Sequence, residues 1–151
     1  MRLELECPGE ADTLAAGRRL AALLQPGDVI LLGGALGAGK TLFTVGVAEG
    51  LGVEERVTSP SFVLVRRYDG LIPLVHADVY RLGSTAELED LDLTDLDDGA
   101  VIVVEWGDAV RHRFGEDHLL IHFLVLGDDT RLVTFEPSGS WHRRPRAELA
   151  R

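Results

Sequence analysis

Several things are scarce in this chain of 151 residues, and each scarcity excludes something. Cysteine occurs once, at Cys7, so neither a disulfide framework nor a cysteine-based zinc site is available. Asparagine does not occur at all, which removes the N-K-x-D loop on which guanine recognition rests in most P-loop GTPases. No apolar stretch approaches the roughly 20 residues that a membrane span needs. The opening Met1-Arg-Leu-Glu-Leu-Glu-Cys7 lacks the pattern of a signal peptide, and the expectation is a cytoplasmic protein with no membrane partner. Positive charge is also short, with 15 basic against 25 acidic residues and a net charge of −10. That balance argues against broad, unaided nucleic-acid binding, which depends on neutralising phosphates with basic side chains. Lysine is the scarcest charge of all: Lys40 stands against fourteen arginines.

What surrounds that lysine is the most informative stretch of the chain. Gly34 to Thr41 reads G-A-L-G-A-G-K-T and fits G-x-x-x-x-G-K-S/T at every fixed position. A short apolar run, Asp28 to Leu32, precedes it after a Pro26-Gly27 turn, as a strand buried on both faces would. Lys40 to Leu51 can follow as a helix that stops at Gly52. Strand, glycine loop and helix together form a phosphate cradle. Gly34, Gly37 and Gly39 let the main chain curl, so that N–H groups of the loop, Leu36 and Ala38 included, converge at the positive end of the helix dipole. Lys40 then reaches the outer phosphates, and Thr41 offers its hydroxyl to magnesium. A chance glycine-rich turn is the plainer alternative, and the flanking elements count against it.

The remaining pattern is that of a single α/β domain over 1–136. Arg2 to Cys7 alternates as a strand with one wet face. Leu14, Gly17, Ala21 and Leu24 form a helical stripe behind Glu10 and Asp12, acids that suit a helix start. Thr58-Ser-Pro-Ser61 places three hydroxyls around a proline, either to sense a terminal phosphate or simply to cap a turn. Phe62 to Tyr68 and Leu71 to Ala77 read as an antiparallel pair across Asp69-Gly70. An acid follows the second of these strands, Asp78, and another follows Val101 to Val104, Glu105. Open α/β sheets bind ligands at the carboxyl ends of their strands, so both acids are candidates to hold magnesium or to orient water. Each alone reads more simply as a cap on the next turn, and His76 reads as a packed strand histidine. Ser84 to Glu87 is a capping box, and Glu87 to Asp98 holds seven acids in twelve residues, by default a solvated face. Gly107 to Phe114 suits a short helix, and Leu119 to Leu126 with Arg131 to Phe135 suit a closing strand pair. The stretch 137–151 carries arginines and turn residues without a core pattern, and is expected to be a mobile tail. The fold class expected is a P-loop NTPase-like three-layer sandwich around a mixed, mostly parallel sheet.

The ordered set of motifs resembles the TsaE family, small bacterial P-loop ATPases of the threonylcarbamoyladenosine pathway for tRNA. Its carriers are L-G-A-G-K-T at Leu36 to Thr41, S-P-S-F at Ser59 to Phe62, H-A-D-V-Y-R-L at His76 to Leu82, E-L-E-D-L at Glu87 to Leu91 and V-E-W at Val104 to Trp106. The resemblance covers nearly all of the chain except the tail. It implies ATP and Mg2+ as cofactors, with phosphate and metal at Lys40 and Thr41, a metal ligand at Glu105 and a hydrolytic role for Asp78. It sets Glu10 and Thr13 near the nucleotide base and brings Arg131 toward the nucleotide. It also names a TsaD–TsaB complex, where the tRNA is held, as the partner. The rate expectation comes from the residues. Arg81, three positions past Asp78, is the nearest candidate in the chain for an arginine aimed at the γ-phosphate, but on an extended strand it points away from the side that Asp78 faces. The isolated chain is therefore expected to be a slow ATPase that a partner activates. Two positions depart from the family pattern: Leu42 replaces a usual second threonine, and Ser61 replaces the threonine of S-P-T-F. A small-molecule kinase on the same loop, or a nucleotide-dependent scaffold with negligible turnover, are the alternative readings.

Overall fold

The computed structural model describes residues 2–35, 37–58, 65–79 and 99–150. Leu36, the Ser59–Ser61 part of the hydroxyl loop, Arg81, the capping box at Ser84 and the acidic stretch Glu87 to Asp98 lie outside the described residues.

Seven strands form one sheet: β1 (Leu3–Cys7), β2 (Val29–Gly34), β3 (Val65–Tyr68), β4 (Leu74–Asp78), β5 (Val101–Glu105), β6 (His118–Val125) and β7 (Arg131–Ser138). Their spatial order is β1-β7-β6-β2-β5-β4-β3. β2 pairs in parallel with β5 on one side and β6 on the other, and β4 is parallel to β5. β3 closes one edge and β7 runs antiparallel to both β6 and β1 near the other, so the sheet is mixed with a parallel centre. The reason lies in the residues. Every residue of β5 is buried, as expected for a continuous apolar run covered on both faces. β1 alternates between wet and packed positions, as a one-sided edge strand does.

Two helices, α1 (Glu10–Ala21) and α2 (Lys40–Gly50), pack on the same face of the sheet. Leu20, Phe43 and Val47 meet Ile30, Leu32, Leu119, Ile121 and Phe123 there. The opposite face buries Leu31, Val75, Ala77, Ile102 and Val104, with the 3-10 turn Gly107–Arg113 folded back against β2. α1 starts at Gly9, whose N–H donates to Asp12 Oδ2 at 2.9 Å. The two helices cross at glycines. A Cβ on Gly46 would lie 2.2 Å from the Leu14 carbonyl oxygen, and one on Gly17 would lie 2.3 Å from that of Phe43. Both contacts are with backbone, which cannot step aside cheaply. Gly46→Ala is therefore expected to destabilise the fold by about 2 kcal/mol, overpacking outweighing the better helix propensity of alanine. The urea midpoint measures this, and an unchanged midpoint would mean that the helices do not approach so closely. The crossing matters because α2 carries Lys40 and Thr41.

The C-terminal stretch corrects the expectation of a loose tail. β7 continues to Ser138, and two 3-10 turns follow at Gly139–Arg143 and Arg146–Ala150. Trp141 is only 1% exposed, and Leu149 is buried with it in the helix-side core. Arg144 donates to both carboxylate oxygens of Asp28 at 2.5 and 2.7 Å and lies over the Trp141 ring at 3.9 Å. Asp117 accepts from the Ser140 N–H at 2.6 Å, a bond that holds its carboxyl below the ordinary range. A few anchors of this kind hold a segment that has no hydrophobic period.

Candidate functional site

The carboxyl ends of β2, β4 and β5 meet the start of α2, and a cavity of about 320 Å3 lies at that junction. Its lining includes Glu10, Thr13, Gly37, Gly39, Lys40, Thr41, Asp78, Glu105 and Arg131, nearly all of the residues expected there from sequence. Gly34 and Ala38 belong to the same loop, although they do not line the cavity.

The loop has the curl that its glycines permit. Gly34, Gly37 and Gly39 take φ of 131°, 78° and 106°, the region that side chains disfavour. Gly39 is also the N-cap of α2, whose first turn contains no acid and no capping side chain. The positive end of the helix dipole is thus left uncompensated by the helix itself and faces the cavity. Lys40 Nζ donates to the carbonyl oxygens of Gly34 and Ala35, both at 2.8 Å, and lies 4.0 Å from the centroid of the Trp106 ring. Burial lowers the Lys40 pKa from its usual 10.5, and the carboxylates of Glu105, Asp108 and Asp78 oppose that shift. Trp106 holds its place over the ammonium with φ of 63°, the only positive φ among described non-glycine residues. A strained backbone beside a site is held by its surroundings at a cost of order 1–3 kcal/mol.

The two strand-end acids are neighbours. Asp78 and Glu105 face each other in the β4–β5 register. Glu105 is 4% exposed, and Thr41 Oγ1 shares its proton between the two carboxylate oxygens at 3.1 and 3.0 Å. The hydroxyl that begins α2 is therefore tied directly to the acid that ends β5. Oxygen donors of this kind, a hydroxyl and two carboxylates, suit a hard divalent cation such as magnesium. Arg131 lies at the cavity, where the resemblance sets it, and it also has partners in the loop. Its Nε donates to Ala38 O at 3.0 Å and one Nη to Gly37 O at 3.4 Å, so it braces the loop from β7. Thr13 presses its methyl group toward Gly39, within 3.7 Å of where a Cβ would stand.

Three participants were not foreseen as such. His76 contacts Glu105, its Nε2 lying 2.5 Å from Oε2. Asp108 lies against Gly33, where an added Cβ would come within 2.7 Å of the Asp108 carboxyl carbon. Asp129, on the turn between β6 and β7, also lines the cavity. The lack of a side chain at Gly33 is what admits Asp108, and a glycine directly before the loop's own Gly34 gives no sign of that in sequence. Leu42, at the position of the family's usual second threonine, lines the cavity as an apolar residue.

The fold and this loop define a P-loop NTPase-like α/β protein. Residues 7–133 match the family model for "Threonylcarbamoyl adenosine biosynthesis protein TsaE", and the chain belongs to that family. Among similar proteins, the tRNA threonylcarbamoyladenosine biosynthesis protein TsaE of Bacillus subtilis is 42% identical over 142 residues, covering 93% of this chain and 89% of the relative. The protein of the same name from Streptomyces coelicolor is 53% identical over 107 residues, or 68% and 72% of the two chains. A crystal structure of Bacillus subtilis YdiB superposes with a TM-score of 0.78 at 34% identity, covering 95% of this chain and 90% of that one.

Proposed function

We propose that this protein binds ATP with Mg2+ in the cavity and hydrolyses it in support of threonylcarbamoyladenosine modification of tRNA, acting on a TsaD–TsaB-type partner complex in the cytoplasm. The observation that carries the reading is the Thr41–Glu105 bond, which joins the hydroxyl of the phosphate loop to the acid of a neighbouring strand. Phosphate loops use this pairing to place a metal beside the outer phosphates. Family membership supplies the pathway. The net charge of −10 favours a tRNA held by the partner rather than by this chain. Among the described residues no helix is long and apolar enough to cross a membrane.

In this reading the loop N–H groups and Lys40 take the phosphate chain, and Glu10 and Thr13 border the space on the α1 side. Thr41 and Glu105 would hold the magnesium ion, which when bound spreads the charge that develops on the phosphate oxygens. Asp78 orients a water toward the γ-phosphorus. The water oxygen bonds to phosphorus, the bond to the ADP oxygen breaks, and the water's proton leaves toward the carboxylate or solvent. Among the described residues Arg131 is the arginine that lines the cavity, and its guanidinium is engaged with loop carbonyls. A slow isolated chain, whose rate rises when a partner completes the site, fits that arrangement.

The test is steady-state phosphate release by the purified chain, alone and with the partner complex, with and without tRNA. The expected result is a low basal rate raised by the complex. A fast basal rate that no partner changes would overturn the reading, and a phosphorylated small molecule in place of free phosphate would make the protein a kinase.

A further inference from the structure

We infer that His76 is the positioning residue for Glu105, fixing the carboxylate in the orientation in which it serves the metal. This rests on the reading of the cavity as a magnesium–ATP site. His76 lies on β4 two residues before Asp78, so strand alternation puts both side chains on one face of the sheet. The register sets Asp78 opposite Glu105 and His76 opposite Val103, which places His76 diagonally across from Glu105. Its ring is fully buried, and Nε2 comes within 2.5 Å of Glu105 Oε2. An ionised carboxylate only accepts, so the contact is a hydrogen bond from the tautomer that carries its proton on Nε2.

The other ring nitrogen argues that packing alone does not account for this histidine. Nδ1 is buried without a hydrogen-bond partner among the described residues. A buried acceptor without a partner is a cost that phenylalanine or leucine would avoid. What those residues lack is the N–H for Glu105. Among the described residues the carboxylate's other side-chain hydrogen-bond partner is Thr41, whose single proton is divided between its two oxygens. Oε2 is thus held from two sides, by the α2 hydroxyl and by the β4 imidazole, while Oε1 is held from one. Without His76 the buried carboxylate swings about a single shared proton. Outer partners that orient a metal-binding group in this way commonly change metal affinity by about 10-fold or more when removed.

The experiment measures ATP affinity of the purified chain by calorimetric titration, once with excess magnesium chloride and once with EDTA. The ratio of the two affinities is the readout, and a thermal melt accompanies each variant. His76→Phe fills the space without the N–H, and His76→Gln retains an N–H donor. The expected result is that His76→Phe lowers the magnesium ratio about 10-fold. Its affinity in EDTA stays within about 2-fold of the original, and His76→Gln recovers part of the ratio. Should the Phe variant fail to fold, His76→Met supplies the same loss of donor in a flexible apolar side chain. An unchanged ratio in the Phe or Met variant overturns the inference. So does an equal loss of affinity with and without magnesium, which would mark a merely structural residue. A ratio of one in the original protein would overturn the magnesium–ATP reading itself, and this inference with it.

Discussion

Lys40→Ala is expected to weaken ATP binding by at least ~100-fold, the largest effect on affinity of any single change in the site. A charge-assisted hydrogen bond contributes about 1.5–3 kcal/mol, and this ammonium also supplies the positive charge placed within the loop. Together these effects come to about 3 kcal/mol or more, which is roughly 100-fold in affinity. The variant also loses the two bonds that Nζ makes to Gly34 and Ala35, so the empty loop is less ordered before nucleotide arrives. Lys40→Arg should not rescue, because a planar guanidinium cannot follow two converging carbonyls as a compact ammonium does. The perturbed pKa adds a second signature. Burial lowers it, and bound phosphates raise it again by stabilising the charged form. Binding therefore takes up a proton once the free lysine begins to deprotonate. The sign follows: affinity falls as pH rises through the lowered free-state pKa, and the Ala variant lacks that limb. Titration with ATP across the alkaline range measures both effects. Near-normal affinity in Lys40→Ala would defeat the assignment of the loop.

The parts of this site that were legible in sequence are those written in contiguous residues. Gly34 to Thr41 declares its conformation because each glycine permits a positive φ and the helix must begin where Lys40 stands. Asp78 and Glu105 were legible because each ends an apolar strand. Their adjacency was not, because it depends on β4 lying beside β5 in the sheet order. His76 shows the limit more sharply. A histidine inside an apolar run gives the same pattern whether it packs or ligates, and its partner Glu105 is 29 positions away. Family resemblance marks Arg131, but not that its guanidinium braces loop carbonyls more than 90 positions earlier in the chain. The C-terminal stretch escapes sequence patterns for a different reason. Trp141, Arg144 and Leu149 are isolated anchors spaced by turn residues, and neither the helical nor the strand period can register them. Their partners, Asp28 among them, lie across the fold.

Asp78→Asn is expected to leave nucleotide affinity within about 2-fold of the original while lowering the rate of phosphate release by a factor of about 100 or more. Positioned carboxylates that accept or direct a proton in the transition state typically contribute 10²–10⁴-fold. The substitution keeps the size and polarity of the side chain, so β4 and its register with β5 should survive it. The neighbouring acid should behave in the opposite way. Glu105→Gln removes the charge that faces Thr41 and is expected to make ATP binding nearly indifferent to magnesium, because the oxygen pair meant for the cation is no longer anionic. The two acids are opposite each other in register, so proximity alone gives no reason for their effects to differ. What separates them is their partners: Glu105 is buried and tied to the phosphate-loop hydroxyl, whereas Asp78 is half-buried at the cavity wall. Measuring ATP affinity with and without magnesium, together with phosphate release in the presence of the partner complex, resolves the split. If both variants lose affinity to the same degree, the acids form one metal-binding unit, and the attacking water must be oriented by some other group.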